Sequence, residues 1–296
     1  MKIKSIIKLT KNNILSISIL ICFVNFVFAQ SVDTLGLKFI SNTHTFQNNT
    51  LSYRLYIPQN YNESKSYPIL LCLHGAGERG SDNDIHIVRH SLATAWAEPE
   101  IQKKNPTFIL APQCPKKKKW SYTDWNKGSL NIDTLAIGKE MRVVVNLLDA
   151  LLNEFNIDKN RQYVTGLSMG GYGTWDIITR YPNRFAAAVP MSGAGDPSKV
   201  HLYKNLPIWN FHNTNDKIVP VEGSREIFQA MKKSKFKVLE TLGISEKKIN
   251  RKLRKKPIHI YTENPEGNHG PWEPWYNYSK LHNWLFSQVK EKRIIK

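Results

Sequence analysis

The chain is poor in cysteine and short of acid. It has three cysteines in 296 residues. Cys22 falls in an N-terminal apolar stretch, which leaves Cys72 and Cys114. Two cysteines build no disulfide scaffold, and no Cys/His cluster has zinc-ligand spacing. Cys72 lies inside Ile69-Leu70-Leu71-Cys72-Leu73, where a buried free thiol is expected. Acids number 24 against 42 lysines and arginines, a formal net charge of +18. Much of the excess lies in two runs, Lys116 to Lys119 and Lys247 to Lys256. There is no zinc-finger spacing and no RNP-type motif, so nucleic acid is not an expected partner. The basic runs read instead as solvated faces. No internal repeat and no low-complexity linker is present, so no second domain is expected.

The N-terminus carries Lys2, Lys4, Lys8 and Lys11, then an apolar run from Ile14 to Ala29. A basic start, an apolar middle and a small residue at the end make a secretory signal peptide, residues 1–29. The run is short for a membrane span, so no stable membrane insertion is expected after cleavage. Bulky Ile21 before Cys22 argues against a lipoprotein. Loss of the four leader lysines lowers the net charge from +18 to +14. The expected location is periplasmic or extracellular, and residues 30–296 have the length of one α/β domain.

Residues 51–58 alternate apolar and polar, which predicts a half-buried antiparallel strand. Continuous apolar runs at 68–73, 107–111, 185–191, 206–212 and 258–261 predict strands buried on both faces. Helical spacing marks 135–155, 171–180 and 276–290. Strands alternating with helices predict a mostly parallel twisted sheet with helices on both faces. Ligands bind such sheets at the carboxyl ends of the strands.

At one of those ends stands Gly166-Leu167-Ser168-Met169-Gly170. A strand-like run, 161–165, precedes it and a helical pattern follows. In that context Gly-x-Ser-x-Gly is a sharp strand-to-helix turn that exposes a serine hydroxyl. The flanking glycines are needed because side chains there would strike the neighbouring strand and helix. The helix N-terminus offers N–H groups and a positive dipole end to an oxyanion.

A serine hydroxyl needs a base to take its proton. On this architecture the acid and then the histidine follow the serine along the chain. Asp216 hangs in a loop after the strand ending at His212. Three histidines come later. His259 is mid-strand and His282 is in the last helix, so His269, in the loop between them, is the expected base. Oxyanion donors are expected from the backbone N–H of Met169 and of Gly75 or Ala76, in the Gly-rich loop His74-Gly75-Ala76-Gly77.

Three stretches together resemble a known family: Leu73 to Asn83, Ala111 to Pro115 and Thr165 to Trp175. They are similar to the secreted α/β-hydrolase esterases of the phospholipase/carboxylesterase-like "predicted peptidase" group. That group is close to polyhydroxybutyrate-depolymerase-like and feruloyl-esterase-like proteins. The resemblance runs from about Leu51 to the last helix. It implies an α/β-hydrolase fold without a large cap domain, a Ser-Asp-His triad on Ser168, Asp216 and His269, and no metal or other cofactor. Two departures stand out. Asn213 occupies a place where the family usually has glycine, and left-handed backbone, which Asn tolerates, is the expected accommodation. The segment 232–256 is longer and more basic than usual, with one extra helix expected around 245–253.

The reading is a secreted serine esterase. A serine peptidase on the same triad and a non-catalytic binding protein are the alternatives. Pro115 to Trp125 leaves the carboxyl end of a strand, and Trp272 and Trp275 flank His269 at the same edge. His74, Trp120, Trp125 and Trp272 are therefore the expected substrate contacts. The expected substrate is a small-molecule or polysaccharide-linked ester, with an acetyl or hydroxycinnamoyl acyl group.

Overall fold

The computed structural model describes residue 36 and residues 38–125, 129–244, 246–255 and 257–290. The chain divides into two units, Met1–Lys38 and Phe39–Lys296, and the strands and helices of the fold belong to the second. The expected leader, 1–29, lies outside the described residues.

A single mixed sheet carries the fold. Its strands are β1 (Phe39–Phe46), β2 (Asn49–Tyr56), β3 (Tyr67–Leu73), β4 (Phe108–Gln113), β5 (Ile157–Leu167), β6 (Ala187–Met191), β7 (Ile208–Asn213), β8 (Val238–Leu242) and β9 (His259–Asn264). Their order across the sheet is β1-β2-β4-β3-β5-β6-β7-β9-β8. Only the β1–β2 and β2–β4 pairs are antiparallel. The helices are α1 (Ile85–Val88), α2 (Pro99–Lys104), α3 (Lys139–Glu154), α4 (Met169–Arg180), α5 (Glu222–Lys233), α6 (Glu246–Leu253), α7 (Glu273–Tyr276) and α8 (Ser279–Phe286). This is the α/β-hydrolase fold.

Composition explains the layers. β3, β4, β6 and β7 are buried along their whole length, as unbroken apolar runs require. β2 turns Leu51, Tyr53 and Leu55 inward and keeps Ser52 and Arg54 between them half-buried. On α3, Met141, Val144, Leu147, Leu148 and Leu151 share one buried stripe. Gly138 caps that helix in extended conformation, so it begins four residues later than the apolar pattern predicts.

Three elements depart from expectation. β1 has a largely exposed face and little apolar periodicity. The two-residue turn Gln47–Asn48, with φ of 48° and 60°, pairs it with β2. β8 is a half-exposed edge strand with no apolar run, and among the described residues its one strand partner is β9. The final helix is two pieces, because Tyr278 takes an extended conformation between α7 and α8. The extra helix expected in the basic segment is α6.

Candidate active site

Ser168 joins the end of β5 to the start of α4 with φ 54° and ψ −118°. A non-glycine residue in that region costs about 1–3 kcal/mol, and the surroundings must impose it. They do so through close backbone contact. A Cβ on Gly170 would lie 1.7 Å from the carbonyl oxygen of Leu73, and one on Gly166 would lie 2.3 Å from that of Gly170. The two glycines let α4 start directly over β3 and β5. The N–H of Ser168 donates to the Met191 carbonyl at 2.9 Å, which pins the turn to β6.

Three loops from three strands converge here. Ser168 Oγ lies 2.7 Å from His269 Nε2, and His269 Nδ1 lies 2.8 Å from Asp216 Oδ2. The Asp216 side chain is fully buried and that of His269 is 19% exposed, so the imidazole and not the carboxylate meets solvent. An ionised carboxylate at Oδ2 accepts the Nδ1–H, which leaves Nε2 as the acceptor facing the hydroxyl. Burial by itself would raise the Asp216 pKa. Hydrogen bonds from His212, from His269 and from the Val219 N–H outweigh burial and hold it well below the usual carboxylate range.

His212 is a member of this site that sequence reasoning missed. Its Nε2 lies 3.3 Å from Asp216 Oδ2 and 3.0 Å from the Val219 carbonyl, and its Nδ1 lies 2.8 Å from Ser224 Oγ. Asp216 thus sits between two imidazoles. The one sequence signal was the spacing of four residues from histidine to acid.

Asn213 has a different role from the one expected. It is the last residue of β7 and is not among the residues with positive φ. Its side-chain amide donates to the carbonyls of Asn268 and Gly270, at 2.7 and 3.2 Å, and its oxygen accepts from Asn264 Nδ2 at 3.0 Å. The two carbonyls flank His269. Asn268 Oδ1 in turn accepts the Lys217 N–H at 2.9 Å. The acid loop and the histidine loop are therefore stitched together by amides.

The family model described as "Putative esterase" matches residues 44–278. The chain belongs to this esterase family. The crystal structure of a thermostable esterase is 36% identical, with a TM-score of 0.73 over 86% of this chain and 64% of that one. The "Probable feruloyl esterase C" of Aspergillus terreus is 25% identical over 186 residues, 62% of each chain. The bifunctional acetylxylan esterase/xylanase XynS20E of Neocallimastix patriciarum is 27% identical over 167 residues, 56% of this chain and 21% of that protein. The chain thus spans only part of the length of these relatives.

The other expected site residues separate into two groups. Gly75 and Met169 border Ser168. A Cβ on Gly75 would lie 3.6 Å from Ser168 Cβ and 2.8 Å from both Leu167 Cδ1 and Glu78 Oε2. Ala76 follows at the start of a short 3-10 turn. Trp272 packs edge-on to His269, with ring centroids 5.2 Å apart, and its indole N–H donates to Ser192 Oγ at 3.1 Å.

His74 and Trp120 are corrections: both are buried and have no surface to offer a ligand. The Cys114 N–H donates to His74 Nε2 at 2.8 Å, which leaves Nδ1–H to donate to the Gly75 carbonyl at 2.6 Å. Burial, then repulsion from His86, lowers the His74 pKa to about 3. The Trp120 indole N–H donates to the His74 carbonyl at 3.0 Å, and its ring abuts Gly173 of α4. These two residues brace the Gly75 loop from behind. Trp125 is half-buried, and its carbonyl accepts the Tyr172 hydroxyl at 3.1 Å. Trp275 is buried and stacked on Phe211. His259 and His282 are buried against the carbonyls of Tyr203 and Tyr276. Cys72 and Cys114 are free and buried. Among the described residues no group of His, Cys, Asp and Glu is arranged to hold a metal ion, and no helix is long and apolar enough to cross a membrane.

Proposed function

We propose that the protein is a secreted serine carboxylesterase that hydrolyses acetyl or hydroxycinnamoyl esters on carbohydrate. One observation carries the reading: Ser168 Oγ, His269 and the Asp216 carboxylate form an unbroken hydrogen-bonded line at 2.7 and 2.8 Å. His269 Nε2 takes the serine proton as Oγ attacks the ester carbonyl carbon. The backbone N–H groups of Met169 and of Gly75 or Ala76 receive the oxyanion. The imidazolium, steadied by Asp216, returns the proton to the leaving alcohol. Water, deprotonated by the same histidine, then frees the acid and restores the serine. Relatives named as acetylxylan and feruloyl esterases support the acyl and carbohydrate classes. The basic and apolar N-terminal stretch supports export.

The test is the mature protein against aryl acetate, feruloyl, long-chain acyl and peptide anilide substrates, with Ser168→Ala beside it. The acetyl and feruloyl esters turn over, and the variant stays folded while kcat falls by about 10⁴ or more. Ser168→Ala activity above a tenth of wild type removes the nucleophile assignment. Preference for long acyl chains or for anilides removes the substrate assignment.

A further inference from the structure

The lysine run 116–119 is unused by the ester chemistry, and the structure fastens it beside the nucleophile. Its loop leaves the carboxyl end of β4, next to β3 in the sheet. Both ends of the loop are tied to His74, the residue before Gly75. The Cys114 N–H donates to the His74 ring at 2.8 Å and the Trp120 N–H donates to the His74 carbonyl at 3.0 Å. Arg79 makes a third tie. Its Nε–H donates to the Ala76 carbonyl at 2.8 Å and its Nη1–H to the Lys118 carbonyl at 3.3 Å. The loop therefore cannot drift away from the 74–79 segment without breaking buried hydrogen bonds.

The charge it holds there is uncompensated. Lys116, Lys117 and Lys118 are exposed. Among the described residues no carboxylate lies within ion-pair distance of them or of Arg79. Lys119 turns back over the Trp125 ring, 4.2 Å from its centroid, and Trp125 packs on Tyr172 in the first turns of the nucleophile helix. A cationic rim thus runs from the Gly75 loop to α4. Like charges this close repel one another, and an anion with several charges relieves that repulsion where a neutral ligand does not.

We propose that residues 116–119, with Arg79, form a subsite for a carboxylated polysaccharide, a chain bearing uronic acid units alongside the ester that Ser168 cleaves. The inference rests on the esterase reading for its position and adds the charge of the substrate. Repeated carboxylates along one chain match several lysines in one loop. Single-stranded nucleic acid is a poorer match, because its binding sites interleave cations with stacking aromatics. Tyr122 is the one large exposed aromatic side chain among the described residues.

The test compares the wild type with Lys116→Gln/Lys117→Gln/Lys118→Gln and with Lys116→Glu/Lys118→Glu. All three substituted side chains are exposed, so folding is expected to survive. In affinity electrophoresis, polygalacturonate retards the wild type and neutral arabinoxylan does not. Retardation is lost in both variants and in high salt, where screening shortens to about 3 Å at 1 M. On acetylated polygalacturonate kcat/KM falls at least tenfold in the glutamine variant and further in the glutamate variant. On 4-nitrophenyl acetate and acetylated neutral xylan it stays within twofold of wild type. Equal retardation of wild type and variants overturns the proposal. So does equal retardation by arabinoxylan, or binding to a single-stranded DNA oligonucleotide or anionic vesicles without binding to polygalacturonate. A wild type inert toward 4-nitrophenyl acetate overturns the esterase reading instead, and the electrophoresis still decides the subsite.

Discussion

The amide of Asn213 holds the two carbonyls that flank His269. Removing it takes the side-chain donor from the Asn268 carbonyl and leaves the Gly270 carbonyl only the Asn268 N–H at 3.3 Å, at a cost of about 1–3 kcal/mol. Much of that cost appears as misplacement of the imidazole, and each 1.4 kcal/mol or so is a factor of ten in rate. Asn213→Ala is therefore expected to lower kcat on an aryl acetate about tenfold with KM little changed. Asn213→Asp is worse, because a carboxylate would face those carbonyls and cannot donate to them. Stopped assays on folded variants check both; wild-type kcat in Asn213→Asp would show that the brace is idle. Trp120 is the converse case. It is fully buried, so Trp120→Ala is a core truncation that costs about 3–5 kcal/mol. The lowered denaturation midpoint is the readout, and the folded fraction keeps its KM for sugar-linked and aryl esters alike.

At the scale of elements, the placement of Ser168 depends on how closely α4 approaches β3. The Leu73 carbonyl oxygen stands 1.7 Å from where a Gly170 Cβ would be. Backbone in the middle of the sheet cannot retreat as a flexible side chain can. Gly170→Ala should therefore cost about 3 kcal/mol, at the upper end for overpacking, and shift Ser168 as well. Urea midpoint and kcat should fall together. A variant with native stability would mean that α4 can lift off β3 freely, against the close contact between them. The same scale explains what sequence pattern left unread. β1 and β8 are edge strands with exposed faces, so they lack the apolar runs and clean alternation that mark β3 or β2. Their pairing comes from a hairpin turn and from a neighbour's open edge.

For the whole molecule, buried histidines set a pH limit on stability. Burial lowers His74 to about 3 and His86 to about 4. In the unfolded chain both take protons near the ordinary imidazole value of about 6.5. Between those limits the unfolded state binds protons that the folded state refuses. The stability contribution is whole above about pH 6.5 and is lost as pH falls, by up to about 2.7 kcal/mol per pH unit for two such groups. The low Asp216 pKa has the same sign in a lower window, because that carboxylate loses its stabilising hydrogen bonds only in stronger acid. Asp176, raised by burial, acts in the opposite sense above the ordinary carboxylate value. Urea midpoints measured from pH 7 to pH 4.5 should fall steadily. A flat profile would show that His74 and His86 are already charged in the fold.

The alternation of buried strands and helices, the serine in its glycine-flanked turn, and the chain order of Ser168, Asp216 and His269 are all legible along the chain. Those signals are local: an apolar run, a glycine that must admit a neighbour's backbone, an acid and a histidine each in a loop after a strand. Which side chains line the candidate site and which face inward follows from the folded core alone. Trp120 and His74 lie in loops at the edge of the site, and nothing in their neighbours along the chain says that they point at each other. His212 reaches Asp216 across the turn that leaves β7, and Asn213 reaches the histidine loop because β7 pairs with β9 and sets their carboxyl ends side by side. The lysine run reads as one more solvated charge cluster until His74 and Arg79 are seen to hold it against the Gly75 loop. Hydrogen bonds between residues 40 or more positions apart are set by which strands are neighbours, and that order follows from packing the whole core.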